Sequence, residues 1–226
     1  MINKIVQSMG EAMAGMRDGA TILLGGFGSV GQPNQLVDAV IETGARDLVV
    51  VANNSGGGHV GLALLMELGR VRRIICSFPR SSTSTVFEEL YRAGKIELEI
   101  VPQGTLAERM RAAGAGVGAF YTPTSVGTKL AEGKETRVIN GREMVLEHAL
   151  HGDFALVEAW QADRWGNLTY RRSGRNFNPV MATAANVTIV QAQHIVELGT
   201  LDPEAIVTPG IFVDRVVHVP YGDPAI

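Results

Sequence analysis

Thr21-Ile-Leu-Leu-Gly-Gly-Phe-Gly-Ser-Val-Gly-Gln-Pro33 runs from a short apolar stretch, through a loop holding four glycines, to a proline. The apolar run reads as a buried strand. Pro33 stands where a helix accepts proline at its first position. Leu36, Val37, Val40 and Ile41 keep helical spacing behind it, and Gly44 closes the helix. The same pattern then repeats. Leu48 to Ala52 is a strand apolar on both faces, and Gly61 to Leu68 is a helix stopped by Gly69. Arg73 to Cys76 and the largely alternating Ile96 to Val101 are further strands. Thr85 with Glu88, and Thr105 with Glu108, have capping-box spacing and open helices that end near Gly94 and Gly114. About four rounds of strand, loop and helix predict an α/β fold: a doubly wound, mostly parallel sheet with flanking helices.

The outer segments read differently. Ile5, Met9, Met13 and Met16 recur at four, four and three, the apolar face of a first helix. Asn140-Gly141 between Thr136–Ile139 and Arg142–Leu146 predicts a hairpin with a type I′ turn. Asp153 to Ala159 and Leu168 to Tyr170 read as strands around a turn at Gly166-Asn167. Asn178-Pro179 opens a short helix through Ala185, and Val187–Val190, His194–Leu198 and Ile211–Val219 are late strands. The second half is therefore β-rich. No linker-like stretch divides the chain, so one domain is expected over residues 1–226.

Composition excludes several classes of function. The 226 residues carry 20 Lys and Arg against 23 Asp and Glu, a net charge of −3, which argues against a nucleic-acid binder working by bulk positive charge. With 46% hydrophobic residues the chain can build a core. Cys76 is the only cysteine, so an intrachain disulfide and a multi-cysteine metal site are excluded. Without a secretory leader pattern at the start, a cytoplasmic location is expected. The uncharged windows 19–37 and 48–66 are long enough to span a bilayer, but both are filled with Gly, Asn, Gln and Ser, so no membrane partner is expected.

Three polar loops follow predicted strands and share the carboxyl edge of the predicted sheet, where open α/β sheets bind ligands. The first, Gly25, Gly26, Phe27, Gly28, Ser29, Val30 and Gly31, can bring backbone N–H groups close to a ligand or simply turn the chain tightly. It satisfies G-x-G-x-x-G, yet no carboxylate ends the next strand near Ala52, as a dinucleotide site requires. The second loop offers the amides of Asn53 and Asn54, for a ligand or for their own backbone. The third offers Gln103, a possible donor to a developing oxyanion. The histidines, 59, 148, 151, 194 and 218, lack helical zinc spacing, so no metal is expected. Ser81 to Thr85 form a polar run without a nucleophile elbow. Cys76 ends a buried strand and reads as packing.

Several of these blocks together resemble one family. Asp18 to Pro33, Asn53-Asn54, Val101-Pro-Gln-Gly-Thr-Leu-Ala-Glu-Arg109, Gly114 to Pro123, Gly152 to Val157 and Arg175-Asn-Phe177 are similar, in order, to the first (A, or alpha) subunit of family I coenzyme A transferases. Cys76-Ser-Phe-Pro-Arg80, Glu88 to Gly94 and Asp163 to Tyr170 resemble the branch acting on 3-oxoadipate. The neighbouring branch, acting on acetoacetate and other 3-ketoacids, is the alternative.

The resemblance implies ping-pong transfer of CoA from succinyl-CoA to 3-oxoadipate in aromatic catabolism, with the CoA thioester as substrate and no separate cofactor. The family's nucleophile is a glutamate in a Glu-Asn-Gly motif of a second (B) subunit. Here Asn140-Gly141 follows Ile139, so the chain is expected to be incomplete alone and to pair with that second CoA-transferase chain in a heterodimer or α2β2 assembly. The resemblance implies that Gln103 lies near the reacting carbonyl and that Gly25 to Gly31 contact CoA, with Asn53 and Asn54 beside them. Arg80 is expected to hold the distal carboxylate of the acceptor, since a guanidinium fork suits a carboxylate. Two other classes compete: a sugar-phosphate isomerase or deaminase relative on a similar fold, and a non-catalytic metabolite-binding regulator.

Overall fold

The computed structural model describes residues 2–220. Its strands are β1 (Ile5–Val6), β2 (Thr21–Leu24), β3 (Leu48–Asn54), β4 (Val71–Phe78), β5 (Glu97–Ile100), β6 (Ala119–Thr122), β7 (Thr136–Ile139), β8 (Arg142–His148), β9 (Gly152–Asp163), β10 (Leu168–Thr169), β11 (Ala185–Val196) and β12 (Arg215–His218). Its helices are α1 (Met9–Ala12), α2 (Asn34–Thr43), α3 (Gly61–Glu67), α4 (Val86–Arg92), α5 (Gln103–Gly114) and α6 (Asn178–Ala182).

The main sheet has the order β1-β12-β11-β9-β2-β3-β4-β5, with every neighbouring pair parallel and β10 added antiparallel to β9. This is the doubly wound sheet the sequence predicts. The order also fixes a switch point. From β2 the chain moves outward through β3, β4 and β5, then returns to place β9 on the other side of β2. Ligand crevices in such sheets open at the carboxyl ends of the strands flanking that reversal, here β2 and β9.

Strand alternation divides the core between the two faces. Ile22, Leu24, Val50 and Ile74 pack on one face with Leu36, Val40, Leu62 and Met66 from α2 and α3. Leu23, Val51, Ile75 and Val157 pack on the other with Leu106, Met110 and Met181 from α5 and α6. The hairpin forms at its predicted turn, with Asn140 at φ 50° and Gly141 at φ 76°. It belongs to a separate antiparallel sheet, β6-β8-β7.

Four local expectations are corrected. Ile5 does not begin a helix but pairs with Val216 in β1, and α1 starts at Met9, where Ser8 Oγ accepts from Glu11 N at 3.1 Å. The two late strands expected around residue 190 are one, β11, because it is paired along its length with an equally long β9. Thr105 does not cap a helix: α5 begins at Gln103, straight after Pro102, and Thr105 is buried in its first turn. Thr85 occupies its cap position in near-helical backbone, φ −102° and ψ −3°, and its hydroxyl instead donates to Glu89 Oε1 at 2.7 Å. Among the described residues no helix is long and apolar enough to cross a membrane.

Candidate functional site

The glycine loop leaves the sheet at the switch point. Gly25 N still donates to Leu156 O of β9 at 3.0 Å, so the ladder runs one residue past the end of β2. Gly26 then turns at φ 113°, a conformation side chains other than glycine rarely adopt. Phe27 and Val30 exchange backbone hydrogen bonds of 2.9 and 3.1 Å, which folds the tip into a tight turn. Gln32 Nε2 donates to Gly28 O at 2.6 Å and closes the turn from behind. Gly28 lies at φ 61° with nothing within 4 Å of where a Cβ would stand, and Phe27 and Val30 are exposed. The tip therefore presents backbone to open space.

Ser29, Val30, Gly31 and Gln32 also form one wall of a cavity of about 620 Å³. Glu158 and Trp160 from β9 form the opposite wall, with Tyr170, Arg171 and Arg172. The Arg171 guanidinium lies over the Trp160 ring, 4.5 Å from its centroid. Burial pushes the Tyr170 phenol well above its ordinary value, and its hydroxyl shares a 2.7 Å hydrogen bond with Thr208.

On the far side of β2 lies a small amide cluster. Asn53, 5% exposed near the end of β3, accepts through Oδ1 from Ser77 Oγ at 2.9 Å and from Gln103 Nε2 at 2.7 Å. Gln103 is exposed at the first position of α5. Its side chain is thus held at the carboxyl edge with further amide capacity toward solvent. Asn54 serves its own loop, accepting from Gly56 N at 3.0 Å. Cys76 is buried and its thiol is pushed up to about 12, as an inert packing residue should be. No group of three or more His, Cys, Asp or Glu among the described residues could hold a metal.

The structure thus sorts the expected site residues. It gathers Gly25 to Gly31, Asn53 and Gln103 along one edge of the sheet, yet neither Asn53 nor Gln103 lines the cavity. Arg80 follows β4 as expected but is exposed, with Nε 3.8 Å from Glu88 Oε1. Two groups that hold the loop were not singled out as site residues: Asn176, quoted only inside the Arg175-Asn-Phe177 block, whose Oδ1 accepts from Gly26 N at 3.1 Å, and Asn178, whose Nδ2 donates to Gly31 O at 3.0 Å. Asn178 had a sufficient local reading as a helix opener beside Pro179, and nothing local ties it to residues nearly 150 positions earlier.

A parallel sheet with its switch point under a glycine-rich loop, and an amide presented at the same edge, defines an α/β protein whose candidate ligand site lies at the strand ends. The chain belongs to the coenzyme A transferase family, whose model matches residues 6–219. Among its relatives, the A subunit of 3-oxoadipate CoA-transferase from Pseudomonas putida is 62% identical over 97% of this chain and 95% of its own length. The A subunit of succinyl-CoA:3-ketoacid coenzyme A transferase from Helicobacter pylori strain J99 is 44% identical over 95% of this chain and 92% of its own. An acyl-CoA transferase from E. coli O157:H7, YdiF, solved as a thioester complex with CoA, shares the fold with a TM-score of 0.83 and 22% identity over 98% of this chain. This chain spans 48% of that protein's chain.

Proposed function

We propose that this chain is the A subunit of a heteromeric CoA-transferase that moves CoA from succinyl-CoA to 3-oxoadipate in the cytoplasm. The observation that carries the substrate is the 62% identity, over nearly full length, with a relative named for 3-oxoadipate. The partner's glutamate attacks the succinyl thioester carbonyl, and collapse of the tetrahedral adduct expels the CoA thiolate and leaves a succinyl-glutamyl anhydride. The thiolate then attacks the glutamyl carbonyl, releasing succinate and leaving CoA as a glutamyl thioester. The carboxylate of 3-oxoadipate attacks that thioester, and the same two steps in reverse give 3-oxoadipyl-CoA and the free glutamate.

Each acyl transfer passes through an oxyanion and gains most from donors already in place. Gln103 has that role in this reading, with Asn53 fixing its amide. The open face of the loop from Gly25 to Gly31 takes the CoA thioester, and its exposed backbone at Gly28 suits close approach. CoA is substrate here, and no further cofactor or metal is invoked. Arg80 is the proposed counter-charge for the distal carboxylate of 3-oxoadipate.

A second reading, acetoacetate as acceptor, draws on the Helicobacter relative. Steady-state competition separates the two. The complex of this chain with its Glu-Asn-Gly partner is expected to show a higher kcat/KM for 3-oxoadipate than for acetoacetate. Preference for acetoacetate would transfer the assignment to the 3-ketoacid branch.

A further inference from the structure

The glycine loop closes its own tip through the Phe27–Val30 hydrogen bonds, but these do not fix where the loop sits on the sheet. Four glycines in seven residues give its backbone more freedom than residues with side chains would. Its position is nonetheless specified, from outside, by two amides two residues apart. Asn176 reaches the loop near both ends: its Oδ1 accepts from Gly26 N at 3.1 Å, and its Nδ2 donates to Val30 O at 3.1 Å. The same Nδ2 donates to Ser173 O at 2.8 Å, tying the loop to the segment that carries Arg172.

Asn178 is 0% exposed and works at the sheet itself. In the parallel ladder, Gly25 N donates to Leu156 O, so the next bond of the pattern would run from Glu158 N to Gly25 O. Glu158 N donates instead to Asn178 Oδ1 at 2.9 Å. A side-chain amide takes the place of the β2 carbonyl, and the chain is released into the loop at that residue. The other end of this amide donates to Gly31 O at 3.0 Å and to Gly174 O at 2.9 Å, so it also fixes where the loop returns. The packing is close enough to require glycine at both ends of the loop. A Cβ at residue 25 would lie well inside contact distance of Asn178 Oδ1, and one at residue 31 would lie 2.8 Å from Asn176 Nδ2.

We infer that Asn176 and Asn178 are positioning residues, an amide clamp that sets where the glycine loop meets the CoA thioester. The functional half of this inference rests on the loop having the role proposed above; the mechanical half does not. The contacts that define this role are with loop backbone. Both act through the backbone of residues 25–31, where a displacement of the order of 1 Å can cost about 10²-fold in rate.

Asn176 is the practical target, being partly exposed, and hydrogen exchange reads the loop without reference to activity. In the assembled enzyme, Asn176→Ala should accelerate exchange of the Gly26 to Gly31 amides while leaving the amides of β3 and β4 protected as in the wild type. It should lower kcat/KM for succinyl-CoA by about tenfold or more at temperatures well below its thermal midpoint, which should fall by several degrees through the lost hydrogen bonds. Asn176→Asp keeps the acceptor for Gly26 N–H and should recover part of the loss. Loop exchange unchanged in Asn176→Ala overturns the clamp. Faster loop exchange with unchanged kinetics supports the clamp and removes the CoA-contacting role from the loop. If Asn178→Ala folds poorly, Asn178→Ser, with a shorter acceptor and less burial to satisfy, is read by the same two measurements.

Discussion

Gln103→Ala separates catalysis from folding, because the structure makes its two costs unequal. The side chain is exposed at the first turn of α5 and makes a 2.7 Å hydrogen bond to Asn53 Oδ1. Losing one neutral hydrogen bond costs about 0.5–1.5 kcal/mol net, and Ala returns a few tenths through helix propensity. For a chain of this size that is a shift of roughly 2–4 °C in thermal midpoint. Losing an oxyanion donor, by contrast, costs about 10²–10³ in kcat, or roughly 2.7–4 kcal/mol. The assay is steady-state turnover of the complex with its partner chain, beside thermal unfolding of the same sample. KM for succinyl-CoA should change little, since the donor acts on tetrahedral species and not on the bound thioester. Asn53→Ala should reverse the balance, with a larger loss of stability and a smaller loss of kcat. A Gln103→Ala enzyme within about threefold of wild-type kcat, far short of a typical donor's effect, would reduce Gln103 to a helix-start residue.

Gly28→Val places a β-branched side chain at φ 61° with no neighbour within 4 Å of its Cβ. Its folding cost should stay near 1–2 kcal/mol of backbone strain, while KM for succinyl-CoA rises; early melting with normal CoA binding would make Gly28 a turn residue only. Gly25→Ala should destabilise the chain by about 1–3 kcal/mol through overpacking. Because the blocking atoms are Oδ1 and Cγ of Asn178, the added cost of Gly25→Ala should largely vanish in an Asn178→Ala background; additive denaturation free energies would contradict this. Arg80→Leu should leave folding intact, as the side chain is 77% exposed. It should raise KM for 3-oxoadipate about 10–100-fold and spare acetoacetate; equal losses for both acceptors would assign Arg80 elsewhere.

What the sequence made legible was set by range. The apolar run of β3, the glycine stops after α2 and α3, and the Asn140-Gly141 turn are local signals, and each sits where expected. The strand–loop–helix rhythm carried the parallel sheet, because crossover helices impose that order on the chain. That β9, β11 and β12 join the same sheet on the opposite side of β2 is a matter of partner choice, which periodicity does not encode. Gln191 and Gln193 lie between the two late strands expected at Val187–Val190 and His194–Leu198, where they interrupt the apolar pattern of β11. Inside the fold Gln191 is buried, with its amide donating to Gln35 Oε1 at 2.9 Å. At the site, Gly25 to Gly31, Asn53 and Gln103 stood out because each follows a strand. The partners that orient them, Ser77, Asn176 and Asn178, are single polar residues whose meaning depends on distant backbone.

The central claim is that CoA is carried on a glutamate of another chain while this one supplies the loop and the amide. Intact-mass analysis tests it directly, on the assembled complex after exposure to succinyl-CoA without acceptor. A covalent CoA adduct is expected on the partner chain, with none on this chain and no turnover by this chain alone. An adduct on this 226-residue chain, or turnover without any partner, would contradict it.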